Sequence, residues 1–445
     1  MPQFKGFSLT VLWNFIAPAL NFIADLWWLW LFIISAILAK NLWQHLRISR
    51  FKNDNRWVLL EILIPREIRK SPKAMEQILN QIYSLRNSPE NFVEKYFEGE
   101  VTLWWSLEVA SFGGEVHFFI RTPEKYKNII ESNIYANYKD AEVVEVQDYV
   151  LRLPERTTDL YKMGMDLFGL ELTLGRESAY PIRTYPQFEA MEEEKALDPI
   201  SGLIEVLSKL KKEEQVWLQI LIKPADPLWK EKGYKLVKKL QEKTFSKVSI
   251  SEGKSLAIGR TTPGEEDIIK NIEYKLAKAA FETVIRYVYF APRSIFNKQL
   301  PYRGVRGCFA QYSAQNMNYF VPNIAVRTMV WWVKFPFFFS KKREEGRKQR
   351  VYQNYRLRRM PEEIAIGKVL NSQFFYFDNK SKPAIFSSEE IATFYHLPSF
   401  LILTAPFIKR VEAKRMGPPA GLPIFGEEEE IPGIKMPEER KSAKK

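Results

Sequence analysis

The sequence predicts an α+β protein with one N-terminal transmembrane helix, two tandem ferredoxin-like units of the βαββαβ type and a basic helical C-terminal region. Three observations predict this class: an apolar segment near the N-terminus, alternating strand and helix patterns through the middle of the chain, and a later run of lysines and arginines. Apolar residues make up 46% of the 445 residues and charged residues 27%, which is the balance of a chain that can bury a core.

The apolar segment is predicted to form the transmembrane helix at residues 20–43. Asp25 is the only charged residue between positions 7 and 39, and about 20 apolar residues are enough to cross the hydrocarbon core of a bilayer. Residues 1–19 are interrupted by Pro18 and are predicted to be an interfacial lead-in. Three competing interpretations stay open: a two-helix hairpin in which residues 7–24 also cross, a cleaved signal peptide, and a buried core helix.

Basic residues flank the apolar segment unequally. Lys5 alone precedes it. Five basic residues follow it closely: Lys40, Arg47, Arg50, Lys52 and Arg56. Because the cytoplasmic flanks of transmembrane helices carry the excess of lysine and arginine, we expect a single-pass protein of the inner, cytoplasmic membrane with its C-terminal domains in the cytoplasm.

Residues 56–150 are predicted to form the first ferredoxin-like domain. The patterns give a strand at 57–65, a helix from Ser71, two strands within 103–121, a helix from Thr122 and a strand at 141–146. This order is βαββαβ, the split-βαβ arrangement.

The second half of the chain is predicted to repeat this organisation. Residues 151–212 are interpreted as a linker with short strands and a helix. Residues 213–325 are interpreted as a second ferredoxin-like domain, because the strand VWLQILIKP at 216–224 echoes WVLLEILIP at 57–65.

The C-terminal region, residues 326–416, is predicted to hold an aromatic strand, a basic helix at 341–359 and a short helix. Ser387 and Glu390 have the spacing of a capping box at the start of that short helix. Residues 417–445 are rich in proline, glutamate and then lysine, and we expect this tail to be disordered.

The basic helix carries the strongest functional signal. Nine residues in it are candidates for contact with nucleic acid or anionic lipid: Lys341, Lys342, Arg343, Arg347, Lys348, Arg350, Arg356, Arg358 and Arg359. Tyr352 and Tyr355 lie between them and could stack on bases. The net charge of +13 also favours anionic partners, although most charge runs are simply solvated helix faces.

The sequence carries no established catalytic or metal-binding motif. Cys308 is the only cysteine, and the three histidines are far apart, so a multi-cysteine zinc site is excluded. Gly253-Lys254-Ser255 resembles the end of a phosphate loop, but position 248 is valine where that motif requires glycine. We therefore expect no enzyme activity, no cofactor and no metal ion. A site assembled in space from distant residues remains the alternative.

Four parts of the sequence resemble one protein family. They are WVLLEILIPREIRKSPKAMEQIL at 57–79, FGGEVHFFIRTPEKYKNIIESNIYANYKDAEV at 112–143, GCFAQYSAQNMNYFVPN at 307–323, and SSEEIATFYHLP at 387–398 with RVEAKRMGPPAGLP at 410–423. In the third part, the residues that match the family pattern are Gly307, Phe309, Gln311, Tyr312, Asn316, Asn318, Phe320 and Pro322. Together they resemble the membrane-anchored N-terminal module associated with HerA/FtsK-like, type IV secretion-type ATPases of candidate-phylum bacteria.

This resemblance implies a role beside a motor. In longer relatives a stretch like 418–423 leads into an ATPase with a phosphate loop, which this sequence lacks. The resemblance therefore implies a stand-alone, oligomeric accessory subunit that docks a separate P-loop ATPase at the membrane, in a type IV secretion or conjugation-like DNA-transfer system. The alternative is a membrane-tethered nucleic-acid-binding protein that acts through helix 341–359.

Overall fold

The chain folds around one large sheet that helices cover on both faces. The computed structural model describes residues 18, 25–65, 70–189, 198–246, 262–314, 316–329, 339–362, 364–371, 381–398 and 410–411. The strands are β1 (Trp57–Pro65), β2 (Trp105–Phe112), β3 (Glu115–Pro123), β4 (Glu142–Val146), β5 (Met165–Leu174), β6 (Gln215–Pro224), β7 (Ala280–Pro292), β8 (Phe320–Pro322), β9 (Ala384–Ser387) and β10 (Arg410–Val411). The α-helices are α1 (Trp27–Asp54), α2 (Lys73–Ser84), α3 (Lys127–Asn137), α4 (Thr157–Lys162), α5 (Pro186–Glu189), α6 (Ser201–Ser208), α7 (Trp229–Ser246), α8 (Pro263–Ala277), α9 (Arg306–Cys308), α10 (Ser340–Arg356), α11 (Ala365–Asn371) and α12 (Ser388–Phe394).

The strands of the described residues join in the order β10-β1-β3-β2-β6-β7-β5-β8, with β4 also paired to β1 and β9 also paired to β7. β10 runs parallel to β1, and the other pairs are antiparallel. β2 pairs with β6 along its whole length, from Trp105 opposite Ile222 to Phe112 opposite Gln215. One continuous sheet therefore crosses the domain border that the sequence predicts at residue 213.

The second predicted unit, residues 213–325, has a different element order from the first. Its described part contains β6, the helices α7 and α8, and then β7 and the short β8. The predicted linker at 151–212 contributes β5, which pairs with β7 on one side and β8 on the other. The described residues therefore do not repeat βαββαβ here. The sequences of β1 and β6 are similar because both strands are largely buried. An apolar strand pattern of this kind does not indicate how the strands pair.

Side chains alternate across the strands, so a separate core forms on each face of the sheet. One core joins Leu60, Leu107 and Ile220 with apolar side chains of α2, α3, α6 and α12. The other core joins Leu59 and Trp217 with apolar side chains of α10. The predicted basic helix is thus a structural layer on the second face.

Helix α1 has two parts with different surroundings. In the part of the chain that the structure describes, it is the one helix long and apolar enough to cross a membrane by length and composition, and its apolar window is 0% buried. The helix continues beyond the predicted transmembrane segment as far as Asp54. From Trp43 onward it contacts the folded domain: the Trp43 Nε1–H group donates to the Tyr96 carbonyl at 2.8 Å, and Ile48 is buried.

The short helix α12 begins at the predicted capping box, which is confirmed. The Ser387 hydroxyl accepts from the Glu390 backbone N–H, and the Glu390 carboxylate accepts from the Ser387 backbone N–H at 2.7 Å. Glu390 also pairs with the buried Lys275 ammonium at 2.8 Å. This contact ties α12 to α8 across the molecule.

Several predicted segments lie outside the described residues. They are the lead-in at 1–19 except residue 18, the aromatic segment at 330–338, the Gly253-Lys254-Ser255 sequence and the tail at 417–445. What the sequence predicts for them stays a prediction.

Candidate functional site

The nine basic residues of the predicted contact helix lie in three environments. Two are exposed: Lys341 and Lys342. Four are partly exposed: Arg343, Arg347, Arg356 and Arg359. Three are buried: Lys348, Arg350 and Arg358. Less basic surface therefore reaches solvent than the sequence of the helix suggests.

The two tyrosines of α10 are both fully buried. The Tyr352 hydroxyl donates to the Pro154 carbonyl at 2.8 Å, and the Tyr355 and Tyr149 hydroxyls are 2.6 Å apart. The expectation that these rings are available to stack on bases is therefore wrong. They occupy the face of α10 that packs on the sheet, together with Val351.

Arg358 belongs to a buried network beneath the end of α10. Its guanidinium contacts the Glu108 carboxylate through two hydrogen bonds, of 2.9 and 3.0 Å, and it also pairs with Asp148. The Tyr149 hydroxyl donates to the same carboxylate at 2.6 Å. Burial alone would raise the pKa of Glu108, but Arg358 and the hydrogen bonds of Ser106 and Tyr149 lower it to about 2. Arg358 thus fastens α10 to the sheet and is closed to ligands.

Other basic side chains of α10 also find partners inside the protein. The Lys348 ammonium lies 2.7 Å from an Asp166 carboxylate oxygen. The Arg356 guanidinium donates to the Leu153 carbonyl at 2.7 Å. Much of the positive charge of the helix is therefore used to hold neighbouring segments.

A cavity of about 310 Å³ lies at the C-terminal end of α1. Its lining includes His45, Ser49 and Lys52 of α1, Trp57 of β1, Trp104 before β2, Arg121 of β3, and Arg359 and Glu362 after α10. The three α1 residues are spaced i, i+4 and i+7, which places them on one helix face. Arg359 is thus a predicted contact residue that the fold brings to this cavity.

Two tryptophans and two cations form one wall of the cavity. The rings of Trp57 and Trp104 are 5.3 Å apart between centroids. The Arg121 guanidinium lies 4.4 Å from the Trp57 ring centre, and the Lys52 ammonium lies 5.7 Å from that of Trp104. The Trp104 Nε1–H group donates to the Arg358 carbonyl at 2.8 Å, so the buried network positions this wall.

The cavity carries more positive than negative charge. Lys52 pairs with the acidic lining residue Glu362 at 3.4 Å. Among the described residues, neither the Arg121 nor the Arg359 side chain makes an ion pair or a hydrogen bond. Burial, followed by the charge of Arg358, lowers the pKa of Arg121 to about 10, although the carboxylates of Glu108 and Asp148 partly oppose this shift. An anion in the cavity would relieve this unbalanced charge, and guanidinium groups match phosphate and carboxylate oxygens.

Lys52 and Arg121 are not recognisable from the sequence as parts of one site. In the sequence, Lys52 is one of the basic residues that predict the orientation of the transmembrane helix, and Arg121 lies at the end of a predicted strand. Neither lies in the basic run, and only the pairing of β1 with β3 and the position of α1 bring them together with Arg359. The alternating pattern of β3 places Arg121 on the same face as Phe119, but no sequence signal shows which helix covers that face.

The family-like residues between 307 and 322 hold loops together. The Gln311 and Tyr312 side chains donate to the Pro199 carbonyl at 2.7 and 2.8 Å. The Asn318 amide donates to the Glu177 and Tyr180 carbonyls at 3.0 and 3.1 Å. These contacts explain why these residue types are needed at these positions without a ligand.

The lone cysteine has the environment of a structural residue. Burial raises the pKa of the Cys308 thiol to about 11, which keeps it protonated and a poor nucleophile. Its sulfur lies 3.3 Å from the Gly202 carbonyl and from that of Gly304. In the described ranges no group of three or more His, Cys, Asp or Glu side chains is arranged to hold a metal ion.

Comparison with known proteins places the chain in one family. The family model described as Domain of unknown function (DUF8128) matches residues 49–328. No curated protein matches the sequence significantly. The family match includes Lys52, Trp57, Trp104 and Arg121 of the cavity, whereas Arg359 lies beyond it. Since the match covers more than half of the sequence, the chain belongs to the family described as Domain of unknown function (DUF8128).

Proposed function

We propose that the protein is a non-enzymatic, membrane-anchored accessory subunit that docks a separate cytoplasmic P-loop ATPase of the HerA/FtsK-like class. In this proposal α1 crosses the inner membrane once, and the sheet and its helices lie in the cytoplasm. Several copies surround the ATPase of a type IV secretion or conjugation-like DNA-transfer system. The observation that carries the proposal is α1, an exposed apolar helix that continues without a break into the folded domain.

The exposed surface of α1 supports insertion into a bilayer. Leu31, Phe32 and Ile34 are each more than half exposed. At 3.6 residues per turn these three side chains point in widely different directions around the helix. Apolar surface on all sides of a helix is typical of a membrane span or a fully buried helix, and the domain does not bury this one.

The attachment of α1 to the domain supports a role in positioning. Trp43 donates to the Tyr96 carbonyl, and the Arg47 guanidinium donates to the neighbouring Phe97 carbonyl. A helix held in this way gives the domain a defined orientation to the bilayer. A flexible linker would act only as a tether.

The use of the buried charged groups supports a non-enzymatic role. The carboxylate of Glu108 is occupied by Arg358, and that of Glu390 by Lys275. The His396 imidazole lies 2.8 Å from Asp198 and is buried. Groups satisfied in this way stabilise the fold and leave no free acid or base in these clusters.

The partner class rests on the resemblance of four sequence segments to modules associated with HerA/FtsK-like ATPases. The test is purification of the full chain with a C-terminal tag from its native membranes in a mild detergent. We expect a P-loop ATPase to co-purify with it, and an equally abundant tagged single-pass protein is the control. Recovery of the chain from the membrane without any P-loop ATPase, in repeated preparations, would contradict the docking role.

A further inference from the structure

The cavity at the end of α1 lies where a spanning helix would leave the bilayer. The transmembrane segment predicted at residues 20–43 ends at Trp43, where α1 contacts the folded domain. Lys52 follows nine residues later, about 13 Å further along the helix axis. The headgroup layer is about 5 to 8 Å thick on each side of a bilayer, so the cavity lies at the aqueous edge of this layer.

The surface formed by residues 92–97 independently indicates that this part of α1 lies at the membrane surface. The segment beside the middle of α1 exposes Phe92, Val93 and Phe97, at 66%, 54% and 53%. Tyr96 of this segment receives the hydrogen bond from Trp43, and the Lys40 ammonium lies 5.2 Å from its ring centre. Exposed aromatic residues beside lysines are typical of the membrane interface. The domain surface around residues 92–97 therefore fits against a bilayer just before the cavity.

The chemistry of the cavity matches the headgroup of an anionic lipid. Arg121 and Arg359 provide guanidinium groups that form no ion pair with a described carboxylate, and Glu108 and Asp148 act on Arg121 only at longer range. Trp57 and Trp104 provide an apolar wall against which a glycerol unit can pack. The volume of about 310 Å³ is at the small end of ligand sites, which suits a single phosphate-containing headgroup.

We infer that this cavity binds the phosphate of an anionic phospholipid headgroup, with Arg121 and Arg359 as its ligands and Lys52 at its rim. The inference rests on the proposed insertion of α1. The lipid is already present at the surface against which the cavity lies, so its local concentration is high. Binding would join the folded domain to the bilayer at a second point and restrict rotation about α1.

The test uses the full chain in detergent, with lipid retention followed by native mass spectrometry. Phosphatidylglycerol should be retained about tenfold more than phosphatidylcholine, because charge-assisted hydrogen bonds hold its phosphate and no cationic headgroup opposes them. The double variant Arg121→Gln with Arg359→Gln should lose this preference. The matched control, Lys341→Gln with Lys342→Gln, removes the same charge from exposed positions and should keep it.

Two further measurements distinguish a lipid phosphate from a free phosphate, and loss of lipid binding from loss of folding. Glycerol 3-phosphate at equal concentration should not displace the retained phosphatidylglycerol. The single variant Arg121→Lys keeps the charge and should keep part of the preference. Equal retention of both lipids, an unchanged preference in the double variant, or displacement by free glycerol phosphate would overturn the inference. Resistance of the chain to carbonate extraction is measured separately: extraction would contradict the proposed membrane insertion, whereas resistance without lipid preference would contradict this inference alone.

Discussion

Helix α10 and the cavity at the end of α1 are both rich in basic side chains, yet they use their charge in opposite ways. In α10 and the turn after it, Lys348 and Arg358 are buried against carboxylates. In the cavity, Arg121 and Arg359 line open space without an acidic partner among the described residues. The difference teaches that the number of basic residues in a segment does not measure the charge that a ligand can reach.

The comparison also separates two energetic roles. A buried ion pair depends on both partners, so the removal of one leaves an uncompensated charge. A cation that faces a cavity without an ion-pair partner has lost part of its hydration and gained no ion pair in return. Its replacement by a neutral residue removes its repulsion with neighbouring cations. Substitutions in the two regions should therefore change stability differently.

The largest effect is expected where the α10 network is broken. Glu108→Gln leaves Arg358 buried with Asp148 as its remaining partner, so the free energy of unfolding should fall by about 3 kcal/mol. Urea denaturation of the detergent-solubilised chain, followed by tryptophan fluorescence, measures this loss. Glu124→Gln, at an exposed position just after β3, is the control and should leave the free energy of unfolding unchanged. A loss below about 1 kcal/mol would show that the network is not essential.

The same network predicts a pH dependence of stability. The folded-state pKa of Glu108 is about 2, below its ordinary value of 4.5. A depressed pKa contributes stability that is complete above the unfolded value and is lost as the pH falls toward the folded value. The chain should therefore lose stability between about pH 4.5 and pH 2, by up to about 3 kcal/mol from this group. Glu108→Gln should show a flatter profile in that window, and parallel profiles would contradict the assignment.

A smaller effect is expected from the buried lysine of α10. Lys348→Met removes the partner of Asp166, and the free energy of unfolding should fall by about 1 to 2 kcal/mol. Lys341→Met, on the same helix but exposed, is the matched control and should have no measurable effect. If the two variants have equal stability, the division of α10 into buried and exposed cations is wrong.

In the cavity the same kind of change should cost little. Arg121→Gln removes a partly buried charge near Arg358 but also its contact with the Trp57 ring. These effects oppose each other, so the free energy of unfolding should change by less than about 1 kcal/mol. Thermal unfolding in lipid-free detergent measures this change. A loss as large as that of Glu108→Gln would mean that Arg121 has a structural partner.

The smallest effect is expected on nucleic-acid binding, the alternative function of the basic helix. If duplex DNA bound through the exposed end of α10, Lys341→Ser with Lys342→Ser would reduce the slope of log affinity against log salt by about 2. We expect no such change, since Arg347, Lys348 and Arg356 of α10 are engaged within the fold. Fluorescence anisotropy with labelled duplex DNA at several salt concentrations measures this slope. A decrease of about 2 in the double variant would support nucleic-acid binding through this end of α10.

Local features of the fold could be predicted from the sequence, whereas its long-range pairing could not. The apolar helix and the capping box of Ser387 and Glu390 are visible in short windows of sequence. The continuous sheet depends on the pairing of β2 with β6, about a hundred residues apart, which no local pattern encodes.

The cavity was out of reach for the same reason, because α1, β3 and the turn after α10 are distant in sequence. The burial of α10 had a visible signal. Val351, Tyr352 and Tyr355 form an apolar stripe at helical spacing, and such a stripe indicates packing against a sheet more often than contact with a base.

In the proposed function, α1 crosses the membrane once and holds the folded domain on the cytoplasmic side. The most direct measurement is the labelling of single cysteines by a membrane-impermeant maleimide in intact spheroplasts, in a Cys308→Ser background. Lys162→Cys, at an exposed position of the domain, should be labelled only after lysis, whereas Lys5→Cys should be labelled in intact spheroplasts. Labelling of the Lys162 position in intact spheroplasts, or protection of both positions until lysis, would contradict the claim.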